Sequence, residues 1–245
     1  MVRLASLTLV LFLAAAPVWA QFNYGGGPRS ARSAGPMVSL IDFSFEPAQA
    51  PDASFSFSDP GFGVFYGRQG FASRLVRGTS SQPNGTDLVL VEGQIHAWGA
   101  FRPFTSEDRE TVDFFFPVGL YGDFRQVRRE GGEAEGTIFE VTVMAASAGL
   151  GLTAPVGGSD IAFRAAPFLG IASRAFGTDT GSSAGFTADL EWASPEVFGR
   201  FGLFAGWSFR WQRWLLSAAA TFADPDSRNV EYRGEVHAFQ VGLTF

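Results

Sequence analysis

The chain of 245 residues contains no cysteine, no lysine and only two histidines. The absence of cysteine excludes disulfide bonds, a thiolate metal site and attachment of a lipid to an N-terminal thiol. All 18 basic residues are arginine, and with 24 acidic residues the net charge is −6, which argues against a nucleic acid as the partner. The sequence has neither a zinc motif nor a phosphate-binding loop, so no metal site and no cofactor are expected.

A long apolar run occurs only near the N-terminus. Arg3 precedes the run 4–16, and Pro17 and a small-residue site ending at Ala20 follow it. The run is shorter than the roughly 20 residues that a helical membrane span needs. The pattern predicts a cleaved secretory signal peptide at residues 1–20. Residues 21–36, rich in Gly, Ser, Pro and Arg, are predicted to be a flexible periplasmic leader.

The rest of the chain alternates as β-strands do. Apolar residues, many of them among the 27 Phe, recur at every second position, and clusters of Gly, Pro, Asn and Asp separate the alternating segments. This pattern predicts an all-β protein in which residues 37–245 form a closed, antiparallel, up-and-down transmembrane β-barrel. The ten candidate strands are 37–45, 71–78, 87–101, 112–127, 137–152, 161–175, 184–192, 199–211, 214–223 and 236–245.

The pattern determines the strand number only approximately. An extra hairpin over 55–66 would give twelve strands, and a first segment outside the membrane would give eight. With ten strands and the C-terminus in the periplasm, the outward connections are predicted to follow Phe45, Phe101, Leu152, Trp192 and Ala223. Because Pro117 and Pro167 lie centrally in their strands and cannot donate to the ladder, a bulge or kink is expected at each.

The last ten residues form the most regular segment of the chain. Four apolar residues share one face at two-residue spacing: Phe239, Val241, Leu243 and Phe245. His237 lies on the same face, and small or polar residues lie between. Residues 236–245 resemble the closing strand of bacterial outer-membrane β-barrels. The resemblance implies that the barrel assembly machinery reads the terminal Phe, that the protein is located in the cell outer membrane and that its lipid is a partner. Trp192, Trp211 and Trp214 lie at predicted strand ends and are expected at the headgroup level.

The alternation also separates the charged residues from the apolar ones. If the apolar face meets lipid, the charged face points into the barrel, where ions must pair. Arginine suits such pairing because its planar group can hold a carboxylate with two hydrogen bonds. The predicted interior network has seven acids, six arginines and one histidine: Asp42, Arg74, Glu92, His96, Asp113, Asp123, Arg125, Glu140, Arg164, Arg174, Asp189, Glu191, Arg200 and Arg210. Four bulky residues on the same face, Phe115, Tyr121, Phe168 and Phe204, narrow the lumen further, so an occluded lumen is predicted.

Catalysis based on histidine would have to use His96 or His237. His96 shares the inward face with Glu92 and Gln94, an arrangement that could orient an imidazole as a general base. The chain is similar in size to lipid A deacylases, but their His-x-Ser pair is here His96-Ala97-Trp98. Omptin-type proteases place an Asp two residues before a His. The nearest approach here is Glu235-Val236-His237, without an evident second acidic pair.

These observations lead to the expectation of a non-enzymatic outer-membrane barrel with a structural or interaction role. Two alternatives stay open. One is a narrow transporter or pore for small or hydrophobic solutes, and the other is a lipid-modifying barrel enzyme that uses His96. The sequence leaves the oligomeric state open.

Overall fold

The computed structural model describes residues 22–23, 32–45, 55–68, 70–82, 86–102, 112–130, 136–173, 180–216 and 230–245. The predicted signal peptide and most of the predicted leader lie outside these ranges. All regular elements within them are strands. The strands are β1 (Phe22–Asn23), β2 (Ser33–Phe45), β3 (Phe55–Phe57), β4 (Pro60–Arg68), β5 (Phe71–Ser81), β6 (Asp87–Phe101), β7 (Asp113–Glu130), β8 (Gly136–Ala148), β9 (Leu150–Val156), β10 (Ser159–Ser173), β11 (Thr180–Phe198), β12 (Phe201–Leu216) and β13 (Val230–Thr244).

The strands close into an antiparallel barrel. We call each strand position in the barrel wall a stave. The ten staves, each paired with the next, are β2, β4, β5, β6, β7, β8 with β9, β10, β11, β12 and β13. β8 and β9 form one stave because only Gly149 separates them and both pair with β7 and β10 in one register. The pairing of β13 with β2 completes the ring. The prediction of a closed antiparallel barrel of about ten strands is therefore confirmed.

The ten staves are not the ten predicted strands. β4 lies within the segment that was assigned only to an optional hairpin, and the predicted strand 214–223 is not a separate stave. Its first residues continue β12 to Leu216, and residues 217–223 lie outside the described ranges. One strand missed and one strand added leave the count unchanged. In addition, β2 begins at Ser33, four residues earlier than predicted, because Gly35 allows β13 to approach closely.

The missed strand reverses the direction of several staves. We define the terminal end of the barrel as the end that carries Ser33 and Thr244, and the loop end as the opposite end, which carries Phe45 and Val230. The connections that follow Phe101, β9 and β11 lie at the terminal end. The prediction that these three connections share a side with the one after Phe45 is therefore wrong.

The two central prolines do not break their strands. The register of β6 with β7 continues through Pro117, and that of β10 with β11 continues through Pro167. Pro117 still accepts a hydrogen bond from the backbone N–H of Gly149 at 2.9 Å, so the sheet loses a donor but keeps its alignment. A bulge is therefore absent at both prolines, although the ladder that joins each proline's strand to β8 and β9 is interrupted beside Gly149. The register instead shifts at Val127/Arg128 in β7 and between Ser194 and Phe198 in β11.

The apolar core occupies the loop end of the barrel interior. Phe43, Phe139, Trp214 and Tyr232 are almost fully buried there, together with Leu88, Leu90, Val127 and Val141. The rings of Phe43 and Phe139 meet edge to face with centroids 4.7 Å apart. These two residues come from β2 and β8, which are five staves apart in the ring of ten and so face each other across the interior. Side chains from opposite walls therefore contact each other at this level of the barrel.

Candidate functional site: the charged barrel interior

Below the apolar core, a charged cluster spans the barrel interior. Glu92 on β6 accepts hydrogen bonds from Nε of Arg125 at 2.8 Å and from its Nη2. Nη2 of Arg210 lies 2.5 Å from the same Glu92 oxygen. Arg210 belongs to β12, which is five staves from β6, so the ion pair crosses the whole interior. We call Glu92, Asp123, Arg125 and Arg210, with Tyr121, the upper tier.

Further hydrogen bonds and ring contacts complete the upper tier. Nη1 of Arg210 donates to the Tyr121 hydroxyl at 2.7 Å and to Oδ1 of Asp123 at 3.3 Å. Gln94 donates to the second oxygen of Glu92 at 2.6 Å. The guanidinium of Arg125 lies 4.9 Å from the ring centroids of both Phe43 and Trp214. Arg125 thus joins the charged cluster to the apolar core by cation–π contacts with two core rings.

A second charged cluster lies nearer the terminal end. Asp189 on β11 faces Arg164 on β10, with 3.3 Å between its Oδ2 and Nη2 of the arginine. Arg74 reaches Oδ1 of Asp189 at 2.8 Å from β5, again five staves away. Arg164 also donates to Glu191 at 2.9 Å and lies over the Trp98 ring at 3.9 Å. We call Arg74, Arg164, Asp189 and Glu191 the lower tier.

His96 lies beside the lower tier and contacts a serine. Its Nε2 is 3.2 Å from Oγ of Ser147, two staves away on β8. The sequence did not show this pair because 51 residues separate its members. Ser147 is buried and lines neither of the cavities in this part of the barrel. A substrate therefore has no access to its hydroxyl in this conformation, and the pair serves as part of the interior hydrogen bonding.

The cavities of the interior are small. One of about 50 Å³ opens at the terminal end beside Ser33, Trp98, Glu191 and Thr244, and one of about 20 Å³ lies deeper, beside His96 and Arg164. Since a water molecule needs about 10 to 15 Å³ of such volume, each cavity holds a few waters at most. Four aromatic residues that the alternation places on the inward face are nearly fully buried: Phe115, Tyr121, Phe168 and Phe204.

The structure brings nine of the fourteen predicted network residues together in the two tiers or beside them: Arg74, Glu92, His96, Asp123, Arg125, Arg164, Asp189, Glu191 and Arg210. Asp113 faces inward at the terminal end, where it pairs with Arg102 at 2.7 Å rather than with the tiers. Arg200 is exposed in the turn between β11 and β12. Arg174 lies outside the described ranges.

Two predicted members of the network point out of the barrel. Asp42 is exposed, because Ile41 and Phe43 on the same strand face inward. Glu140 is half-buried on the outer face, where it accepts a hydrogen bond from Gln126 at 2.7 Å. Trp214, predicted at the headgroups, is fully buried inside. All three lie near the loop end, where the core is apolar and the polar face of each strand is the outer one.

The C-terminal face behaves as its alternation indicates. Phe239, Val241, Leu243 and Phe245 all point outward and are exposed. The ladder continues to the last residue, because Phe245 and Arg32 exchange backbone hydrogen bonds of 2.9 and 3.1 Å.

A cleft on the outer face gathers acidic residues around the second histidine. Nε2 of His237 lies 3.1 Å from Oε1 of Glu235, and both side chains are accessible, at 38% and 50% exposure. Asp42 and Asp59 line the same cleft of about 170 Å³. The sequence did not show that these two acids lie in one cleft with Glu235 and His237. Asp42 was assigned to the interior, and Asp59 lies in a segment that reads as a turn.

Among the residues that the structure describes, no group of three or more His, Asp or Glu is arranged to hold a metal ion. In the same part of the chain no helix is long and apolar enough to cross a membrane.

Comparisons with known proteins give likeness of fold only. No protein-family model and no curated protein sequence matches the chain. Among solved structures, the outer membrane protease OmpT from Escherichia coli matches with 8% identity and a TM-score of 0.41, over 88% of this chain and 95% of OmpT. OpdO from Pseudomonas aeruginosa matches with 7% identity and a TM-score of 0.21, over 91% of this chain and 99% of OpdO.

The match to OmpT corrects the expectation that the chain is not an enzyme. One of the barrels that the chain resembles is a protease, so a barrel of this kind does not by itself indicate a non-catalytic protein. At this low similarity the match assigns no activity to the chain.

Proposed function

We propose that this chain is an integral outer-membrane β-barrel whose interior is closed, and that it acts through its surfaces rather than by passing solutes. The membrane assignment is supported by outward apolar residues near the middle and the terminal end of the barrel. Met144, Leu169 and Leu120 are exposed by 77%, 71% and 70%. A belt of such residues around a barrel suits hydrocarbon and would be unfavourable in water.

The observation that carries the closed interior is that side chains bridge the barrel diameter at three levels. The Phe43–Phe139 contact, the Arg210–Glu92 pair and the Arg74–Asp189 pair each join staves that face each other. Each charged tier has two arginines and two carboxylates, so the ions within it balance. Opening a path would separate buried ion pairs, which costs several kcal/mol for each unpaired ion.

The test is conductance of the purified, refolded protein in planar bilayers. We expect no steady openings, since the two interior cavities beside the lower tier hold only a few water molecules. Large, long-lived openings in the wild-type protein would contradict the closed interior and favour the narrow-pore alternative. Any openings can be traced with Ala72→Cys, a position that lines both interior cavities. A charged thiol reagent would block openings that run through the interior, whereas Gly122→Cys on the outer face serves as the control.

A second candidate function is hydrolysis at the outer cleft around His237. Glu235 can orient the imidazole, and an oriented histidine can take a proton from an attacking water. Asp42, the cross-strand neighbour of Glu235, and Asp59 supply two further carboxylates in the same cleft. Unlike the His96–Ser147 pair, these groups are accessible to a substrate.

This second candidate predicts turnover that depends on one histidine and not on the other. With fluorogenic peptides and ester-containing phospholipids as substrates, His237→Gln should lower the rate by about 100-fold or more, the range that loss of a general base gives. His96→Gln is the matched control and should leave the rate within about twofold. Absence of turnover on both substrate classes, or equal rates in the two variants, would remove this candidate.

A further inference from the structure

The strands exchange the polarity of their two faces along the barrel axis. On the outer face of β13 the residues from Phe245 to Phe239 are apolar, and His237, Glu235 and Arg233 follow toward the loop end. The same change from apolar to charged occurs on other staves. The residue pairs that mark it are Leu40 and Asp42 on β2, Leu75 and Arg77 on β5, and Trp211 and Arg213 on β12. On β7 the outer face changes from Leu120 through Phe124 to Gln126 and Arg128.

The inner face changes in the opposite sense at the same levels. On β7 the inward residues Asp123 and Arg125 are followed by Val127. On β6, Glu92 is followed by Leu90 and Leu88 toward the loop end. On β12, Arg210 and Gln212 are followed by Trp214. The barrel thus has two sections. One is apolar outside and charged inside, and the other is charged outside and apolar inside.

Each section matches a different surrounding. An apolar outer wall suits lipid, whereas a charged outer wall over an apolar core is the arrangement of a water-soluble protein. We propose that the loop-end section stands in water beyond the outer leaflet, and that the headgroup layer meets the barrel at the row formed by Trp211, Arg77 and Glu235. This inference rests on the proposed membrane function and specifies where the lipid surface ends on the barrel.

The dimensions agree with this boundary. A strand rises about 3.3 Å per residue and tilts about 40° in such barrels, so one residue advances roughly 2.5 Å along the axis. Glu235 is ten residues from Phe245, which corresponds to about 25 Å, the height of the apolar band of outer-membrane barrels. β13 continues for five residues to Val230, so roughly 12 Å of barrel wall lies beyond the boundary.

The side chains at the boundary fit a headgroup layer. Trp211 is 39% exposed and lies one outward position before Arg213. A partly exposed Trp next to an outward arginine is typical of the interface, where the ring meets the acyl boundary and the cation meets the phosphates. Arg77 and Arg213 are therefore the arginines that we place among phospholipid or lipopolysaccharide phosphates.

The chain has no cysteine, so single cysteines can report the depth of each level. We use two matched pairs of variants. In each pair the two positions lie on the outer face of the same strand, eight residues apart: Leu120→Cys with Arg128→Cys on β7, and Val241→Cys with Arg233→Cys on β13. Each variant carries a nitroxide in vesicles of phosphatidylethanolamine and phosphatidylglycerol. Its collision rates with oxygen, which concentrates in lipid, and with a water-soluble nickel chelate are then compared.

We expect the labels at 120 and 241 to favour oxygen by at least tenfold over those at 128 and 233. If all four labels favour oxygen, the whole wall is immersed and the inference is wrong, although the membrane function stands. If all four favour the nickel chelate, the membrane function itself is wrong. The heat-dependent gel mobility of a folded barrel, measured on each variant, shows that the label has not prevented folding.

Discussion

Glu92→Gln should lower the free energy of unfolding by about 3 to 5 kcal/mol, the range measured when one partner of a buried ion pair is removed. Glu92 is 3% exposed and is the shared carboxylate of Arg125 and Arg210. Without its charge, two buried arginines are left with only Asp123 as a counter-ion. The free energy of unfolding is measured by urea titration of the protein folded in lipid vesicles.

The matched control is Glu140→Gln, the same change at a half-buried acid on the outer face, which should cost less than about 1 kcal/mol. The double variant Glu92→Gln/Arg125→Met should recover much of the loss, because Arg210 keeps Asp123 and Tyr121 as partners. Equal losses at Glu92 and Glu140 would show that the upper tier does not hold the barrel together.

Phe139→Ala should also cost about 3 to 5 kcal/mol, as large-to-small changes of buried aromatic residues do. Its ring contacts those of Phe43 and Tyr232, each with centroids 4.7 Å apart. The rigid walls of a closed barrel can collapse little around the space that the ring leaves. Unfolding in urea, followed by the intrinsic tryptophan fluorescence, measures the loss.

Phe239→Ala is the control for this change. Phe239 is 49% exposed on the outer face, where acyl chains can fill the space, so its loss should be well below that at Phe139. A cost at Phe239 equal to or above that at Phe139 would contradict the assignment of the apolar core to the inside and of lipid to the outside.

The two-residue alternation was sufficient to predict the barrel and the inward direction of most tier residues. Glu92, Arg164 and Asp189 lie in the middle of long strands, where one face is uniformly apolar and the other carries the charges. At these levels the rule that the charged face points inward is correct, as the proposed lipid surrounding requires.

The same rule fails near the loop end for a physical reason. Asp42, Glu140 and Trp214 are predicted on the wrong side of the wall, because the inner face is apolar and the outer face polar there. Alternation alone does not determine which face of a strand points into the barrel. The prediction ended one strand before Gln212 and began the next after Arg213, because two consecutive polar residues resemble a turn. In β12 these residues belong to one strand, with Gln212 pointing inward and Arg213 outward. β4 was predicted only as part of an optional hairpin, because glycine occupies three of its inward positions, Gly61, Gly63 and Gly67, and leaves the alternation weak.

The pairs that close the interior were also beyond prediction. Arg74 and Asp189 are 115 residues apart, and their contact depends on the number of staves and on the stagger of every pair between them. The residue types were visible in the sequence, but the partners follow only from the closed ring.

β2 and β13 are the first and last of the ten staves in the sequence, and they lie side by side in the ring. Arg32 and Phe245 lie at the terminal end of the barrel, where β9 and β10 are also joined by a two-residue turn of left-handed glycines, with φ of 57° at Gly157 and 86° at Gly158. A tether from Phe245 to Arg32 and a cut at that turn would preserve the ladder contacts between the ten staves. The pairing of the staves in the closed ring thus does not depend on which stave comes first in the sequence.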